Sequence, residues 1–112
     1  MRIMEKYKCA RPVHPGEILK EEVEYRGISQ KKLAAEMGIS YKMLNQILNE
    51  RRPITAETAM LFEAVMGIDS DLLIRLQMKY DMRVASRDKS FSERLSEIRK
   101  KAVIFSYACH PV

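Results

Sequence analysis

Tryptophan is absent from this 112-residue chain, cysteine occurs twice and glycine four times. Cys9 and Cys109 sit near opposite ends and form no C-x-x-C pair, and His14 and His110 stand alone. Ligand spacing for a structural zinc is therefore missing, and no metal site is expected. No apolar run approaches the ~18 residues that would span a bilayer. The opening MRIMEKYKCARPVHPG has no apolar h-region, so a cytoplasmic protein with reduced thiols is expected. G-x-S-x-G, P-loop and H-E-x-x-H motifs are all missing, as is any paired His/carboxylate spacing. The expectation is a non-enzyme with no catalytic residue, no cofactor and no small-molecule substrate. There is no internal repeat or low-complexity tract. Outside a short stretch near the N-terminus nothing suggests a strand.

Apolar residues make up 46% of the chain, enough for the core of one domain. Residues 1–13 lack a clean period and read as an N-terminal arm. His14-Pro15-Gly16-Glu17 opens a helix: Pro15 suits the first helical position, Glu17 the positive helix end, and His14 the cap region. Ile18, Leu19 and Val23 form its inner face, and Gly27 stops it. Ser29 caps a second helix with Leu33, Ala34 and Met37 inside. Gly38 can close a tight turn because it tolerates φ > 0. Ser40 caps a third helix in which Met43, Leu44, Ile47 and Leu48 share one arc. The opposite arc carries Lys42, Asn45, Gln46 and Asn49. This is the pattern of a helix-turn-helix, with one polar helix surface held outward.

Charge supports that orientation. The formal net charge is +5, but residues 15–85 carry ten bases against eleven acids, so the surplus lies in the terminal segments. Within residues 26–52, six bases face only Glu36 and Glu50. The flanking helices are acidic, with Glu17, Glu21, Glu22 and Glu24 before and Glu57 and Glu63 after. A basic island between acidic neighbours suits a surface that meets phosphate on one side. Ser40, Tyr41, Lys42, Asn45, Gln46 and Asn49 can donate and accept toward base edges. Gln30 can reach the sugar-phosphate backbone beside the amides of its helix N-terminus. Arg51, Arg52 and Lys32 read as phosphate contacts. Each residue alone would equally suit a solvated face. The caps, the turn glycine and the inner period fall in register together, and that favours DNA.

After the loop Glu50-Arg51-Arg52-Pro53, Thr55 caps a fourth helix with Thr58, Leu61, Phe62, Val65 and Met66 as its buried arc, ended by Gly67. Asp69 or Ser70 caps a fifth, running to about Ala85. Leu72, Leu73, Leu76, Tyr80 and Val84 form one stripe on it. Ile74, Met78, Met82 and Ala85 form a second, with Gln77 and Asp81 between the stripes. A helix apolar on two sides lies between two bodies. The second stripe is a candidate dimer or partner interface, or the seat of the C-terminal segment. SRDKS, 86–90, reads as a linker. Phe91, Leu95, Ile98, Ala102 and Phe105 then share one face of an amphipathic sixth helix, whose mixed charges argue against a membrane-surface role. The organisation expected is an arm over 1–13, a helix-turn-helix domain over 14–85, and a C-terminal extension over 86–112.

HPGEILKEE, ISQKKLAAEMGIS and NQILNERRPITAETAMLFEAVMGIDSDLLIRLQMKYDM together resemble the HigA/VapI antitoxin branch of the lambda-repressor-like (XRE) helix-turn-helix proteins, over roughly residues 14–82. The resemblance implies an all-α, five-helix domain and a homodimer on a palindromic operator. It also implies a HigB-type toxin partner, a small mRNA-cleaving ribonuclease, whose operon the antitoxin represses. Carried over by motif position, the operator-facing residues are Gln30, Ser40, Tyr41, Lys42, Asn45 and Asn49. Three positions depart from the family pattern: Tyr41 stands where Arg is common, Glu50 where Gly is, and Leu73 where Trp is. The alternatives are a stand-alone XRE repressor without a toxin and, from another class, a module that binds only protein.

Overall fold

The computed structural model describes residues 12–102, in which six α-helices and no strand occur. They are α1 (Pro15–Tyr25), α2 (Gln30–Met37), α3 (Tyr41–Leu48), α4 (Ala56–Met66), α5 (Ser70–Arg87) and α6 (Lys89–Lys101). The all-α class and the helix-turn-helix follow the sequence reading. The chain divides into two compact units within α5, between Tyr80 and Asp81.

The helix boundaries are set by side chains that satisfy free backbone groups. Ser29, Ser40 and Thr55 accept from the backbone N–H of Lys32, Met43 and Thr58 in the first turns of α2, α3 and α4. Thr58 returns the bond to the Thr55 N–H, closing a capping box. Gly38 ends α2 at φ 71° and Gly67 ends α4 at φ 74°, left-handed positions that cost other residues strain. His14 is a buried N-cap whose Nδ1 accepts from the Gly16 N–H at 2.9 Å. Its ring meets Tyr80 of α5 edge-on, centroids 4.9 Å apart, a favourable aromatic geometry.

The core joins Leu19 and Val23 of α1, Leu33, Ala34 and Met37 of α2, Leu44, Ile47 and Leu48 of α3, Ala59, Phe62 and Met66 of α4, and Leu73 of α5. Helix α3 packs on both α1 and α2. The approach of α1 to α3 is close enough that a Cβ on Gly16 would lie 2.0 Å from the Ile47 carbonyl oxygen. Polar ties hold the far end: Arg26 pairs with buried Glu22 at 3.2 Å and donates to the Met66 carbonyl at 2.7 Å. Among the described residues every buried side-chain N or O has a hydrogen-bond partner.

Several sequence expectations are corrected. Val65 is 40% exposed and Ala59 takes its place in the buried arc of α4. Met43 and Leu61 are only partly buried against the core. Gln77 does not sit on an outer flank of α5: it is buried, and its Oε1 accepts from the Ile54 N–H at 2.8 Å. A carboxamide there satisfies a loop N–H that no helix ladder reaches. Val84 is exposed, so the first stripe buries only through its N-terminal members, chiefly Leu73 and Leu76. The segment 86–90 is not a linker, for α5 runs to Arg87 and α6 starts at Lys89. Asp88 alone interrupts the helix, its carboxylate accepting from the Phe91 N–H as an N-cap. Asp69, rather than Ser70, accepts from the Asp71 N–H at the head of α5.

The second stripe of α5 is mostly uncovered. Ile74 packs partly on the core, while Met78 and Met82 are 61% and 69% exposed. Ala85 is half-buried. No described residue of α6 is buried. Phe105, Cys9, Cys109, His110 and the arm over 1–11 lie outside the described residues.

Candidate nucleic-acid interface

The turn from α2 to α3 positions the polar face. Gly38 donates to the Ala35 carbonyl and Ile39 to the Ala34 carbonyl, and Ser40 then restarts the helix. With Leu44, Ile47 and Leu48 driven into the core, the 3.6-residue period leaves Tyr41 and Lys42 exposed and Asn45 and Gln46 half-buried on the outer side.

Hydrogen bonds order these side chains. Asn45 Nδ2 donates to Gln30 Oε1 at 3.3 Å. One residue from each helix of the motif is thus joined, and this bond uses neither Asn45 Oδ1 nor its second amide hydrogen. Ser40 spends its hydroxyl as an acceptor for the cap, and its O–H remains to donate. Asn49 is the C-cap of α3; its Nδ2 donates to the Asn45 carbonyl at 2.9 Å and its Oδ1 accepts from Lys20 Nζ of α1 at 3.1 Å. Asn49 is thereby engaged in closing the helix as well as facing the rim. Arg52 donates to Gln46 Oε1 through both Nε and Nη2, at 3.1 and 2.9 Å. Arg51 is exposed, and its N–H donates to the Gln46 carbonyl at 2.8 Å, folding the loop back onto α3.

Charge gives the surface a direction. Lys31, Lys32, Lys42, Arg51 and Arg52 are all exposed. At the C-terminus of α3, an open cleft is lined by Glu17, Glu21, Glu24 and Glu50 together with Lys20, Leu48 and Asn49. A polyanion is attracted to the exposed bases and repelled by the acidic cleft. Glu50, the departure noted in the loop, adopts φ 65°, the only positive φ at a non-glycine among the described residues. That is why a glycine is the natural occupant there. Arg52 and Lys20 have roles that composition does not reveal: Arg52 holds Gln46, and Lys20 ties α1 to Asn49. Their roles depend on contacts six and 29 residues along the chain, which no local period encodes. Among the described residues no group of His, Cys, Asp and Glu is placed to hold a metal ion, and no helix is long and apolar enough to cross a membrane.

The fold and this face define a helix-turn-helix protein, and the helix-turn-helix family model matches residues 19–73. Virulence-associated protein I of Dichelobacter nodosus is 38% identical over 78 residues, 69% of this chain and 72% of that protein. A HigA-family addiction module antidote protein from Coxiella burnetii superposes with a TM-score of 0.68 at 34% identity, covering 78% of this chain and 94% of that one. Pseudomonas aeruginosa antitoxin HigA, solved with the higBA promoter, gives a TM-score of 0.70 at 28% identity over 78% of this chain and 94% of its own. The chain belongs to the XRE-type helix-turn-helix family, in its HigA/VapI antitoxin branch.

Proposed function

We propose that this protein is a cytoplasmic, operator-binding antitoxin. It enters the major groove of double-stranded DNA with α3, as a homodimer, represses its own operon, and neutralises a HigB-type mRNA-cleaving toxin. The observation that carries the DNA reading is the outer face of α3. Lys42, Asn45 and Gln46 lie outside the core, with Asn45 joined to Gln30, Gln46 joined to Arg52, and Arg51 exposed next in the chain. The Asn45 amide suits an adenine edge, Lys suits guanine or phosphate, and the arginines suit the backbone. Tyr41, Ser40 and Asn49 complete the rim. The related antitoxin solved with its promoter supports the same use of the motif.

The dimer is read from Met78 and Met82, two large apolar side chains exposed one turn apart on α5, with Ile74 and Ala85 in line. A two-fold pair would place the two α3 helices about 34 Å apart, one turn of DNA. The toxin assignment rests on family membership alone. Lys42→Ala with Asn45→Ala should abolish specific operator binding while the oligomeric state persists. A gel-shift titration at fixed salt checks it, and unchanged affinity would remove α3 from the interface. Co-expression with the product of the adjacent gene checks the toxin arm: growth arrest relieved by this chain is the expected result.

A further inference from the structure

We propose that Arg52 is a positioning residue that fixes which bases Gln46 can read; the inference rests on α3 being the recognition helix. A guanidinium carries only donors. The fork of Nε and Nη2 at 3.1 and 2.9 Å must therefore face the carboxamide oxygen of Gln46, which settles the orientation of that amide. A free glutamine offers one donor and one acceptor together, the pair that matches adenine N7 and N6. Held by Arg52, Gln46 turns its acceptor inward and presents Nε2 as a donor pair. That edge matches groove acceptors, O6 and N7 of guanine or O4 of thymine. It finds a competing donor at N4 of cytosine and loses the second bond to adenine.

Gln46 therefore selects a keto base, guanine or thymine, at one position in each half-site. The loop supplies the geometry: the Arg51 N–H on the Gln46 carbonyl, at 2.8 Å, brings the next residue back along α3. Nη1 of Arg52 remains for phosphate, so one side chain both anchors the backbone and sets the amide. Lysine would keep the charge and lose the fork.

The test uses the full chain, a random duplex library to obtain the preferred site, and anisotropy titrations at fixed salt on single-base variants of that site. The wild type should require guanine or thymine at one position per half-site. Arg52→Lys should bind the preferred site within about three-fold of wild type. It should nevertheless lose about ten-fold of the discrimination at that position, within the range a good side chain–base pairing supplies. Gln46→Ala should abolish the preference at the same position, and Arg52→Lys added to it should change no base preference further. If Arg52→Lys leaves every base preference intact, Arg52 is a phosphate contact only; the positioning role falls and the DNA reading stands. If the wild type selects no sequence at all, both fall.

Discussion

Replacing Gly16 with alanine tests the seam that aims α3. The added Cβ would sit 2.0 Å from the Ile47 carbonyl oxygen and 3.0 Å from His14 Nδ1. Ordinary contact begins near 3.4 Å, so α1 and α3 would have to part by roughly 1.4 Å. The obstacle is backbone, and it cannot rotate away. Overpacking a tight interior costs about 1–3 kcal/mol, sometimes more, and here the His14 cap is crowded as well. Alanine recovers at most about 1 kcal/mol of helix propensity. At the upper end of that overpacking range, with about 1 kcal/mol more for the crowded His14 cap, we expect a net loss of about 2–3 kcal/mol, a fall in Tm of roughly 10–20 °C for a domain of this size. Gly67→Ala is the control: it adopts φ 74° but its Cβ would meet nothing within 4 Å. Strain alone then applies, about 1 kcal/mol. Urea melts of both variants decide the matter. If Gly16→Ala is no worse than Gly67→Ala, the seam between α1 and α3 yields, and close helix contact does not hold α3 in place. A second readout is DNA affinity well below both midpoints, where Gly16→Ala should bind more weakly than Gly67→Ala.

Glu50→Gly should raise stability by about 0.5–1 kcal/mol, by relieving a left-handed glutamate against the entropy that glycine adds to the unfolded chain, and should tighten DNA binding by removing an acid beside α3; a chemical melt and a gel shift check both signs. Gln77→Leu should cost about 1–3 kcal/mol, since it strands the Ile54 N–H in the interior, and a melt matching wild type would show that the bond contributes nothing. Met78→Glu with Met82→Glu should yield a monomer by sedimentation without lowering the helical circular dichroism, because both side chains are exposed within the single chain.

Sequence periodicity made the motif legible because each of its helices has one face in the core and one in solvent. Leu33, Ala34 and Met37, then Leu44, Ile47 and Leu48, fall where a 3.6-residue period puts them. Ser29, Ser40 and Thr55 act within three residues of themselves, so their caps are local too. What periodicity misplaced are residues whose partners are remote. Gln77 looks like a polar spacer on α5 until Ile54, 23 residues earlier, brings its N–H to the buried face. Val65 and Ala59 exchange places because α4 is apolar nearly all round, with Met60, Val65 and Leu61 beside Phe62 and Met66, so hydrophobicity sets no unique inner face. The 86–90 segment looked polar enough to be a linker, yet a single carboxylate, Asp88, ends one helix and caps the next.

The same distinction separates the two halves of the candidate interface. Which residues face outward follows from what the core takes. What each outward residue can recognise depends on how its neighbours use its atoms. Asn45 shares an amide hydrogen with Gln30, Asn49 is held between Lys20 and a helix carbonyl, and Gln46 is turned by Arg52. A list of polar residues on α3 would give Asn45 and Gln46 the same adenine-reading capacity. The hydrogen bonds divide them: Asn45 keeps a donor and an acceptor, whereas Gln46 presents donors. On the proposed reading, operator specificity in this chain is set partly by Arg52, which lies outside α3. Grafting α3 together with Gln30 onto a relative with a different loop should transfer the contacts of Asn45 and leave those of Gln46 behind.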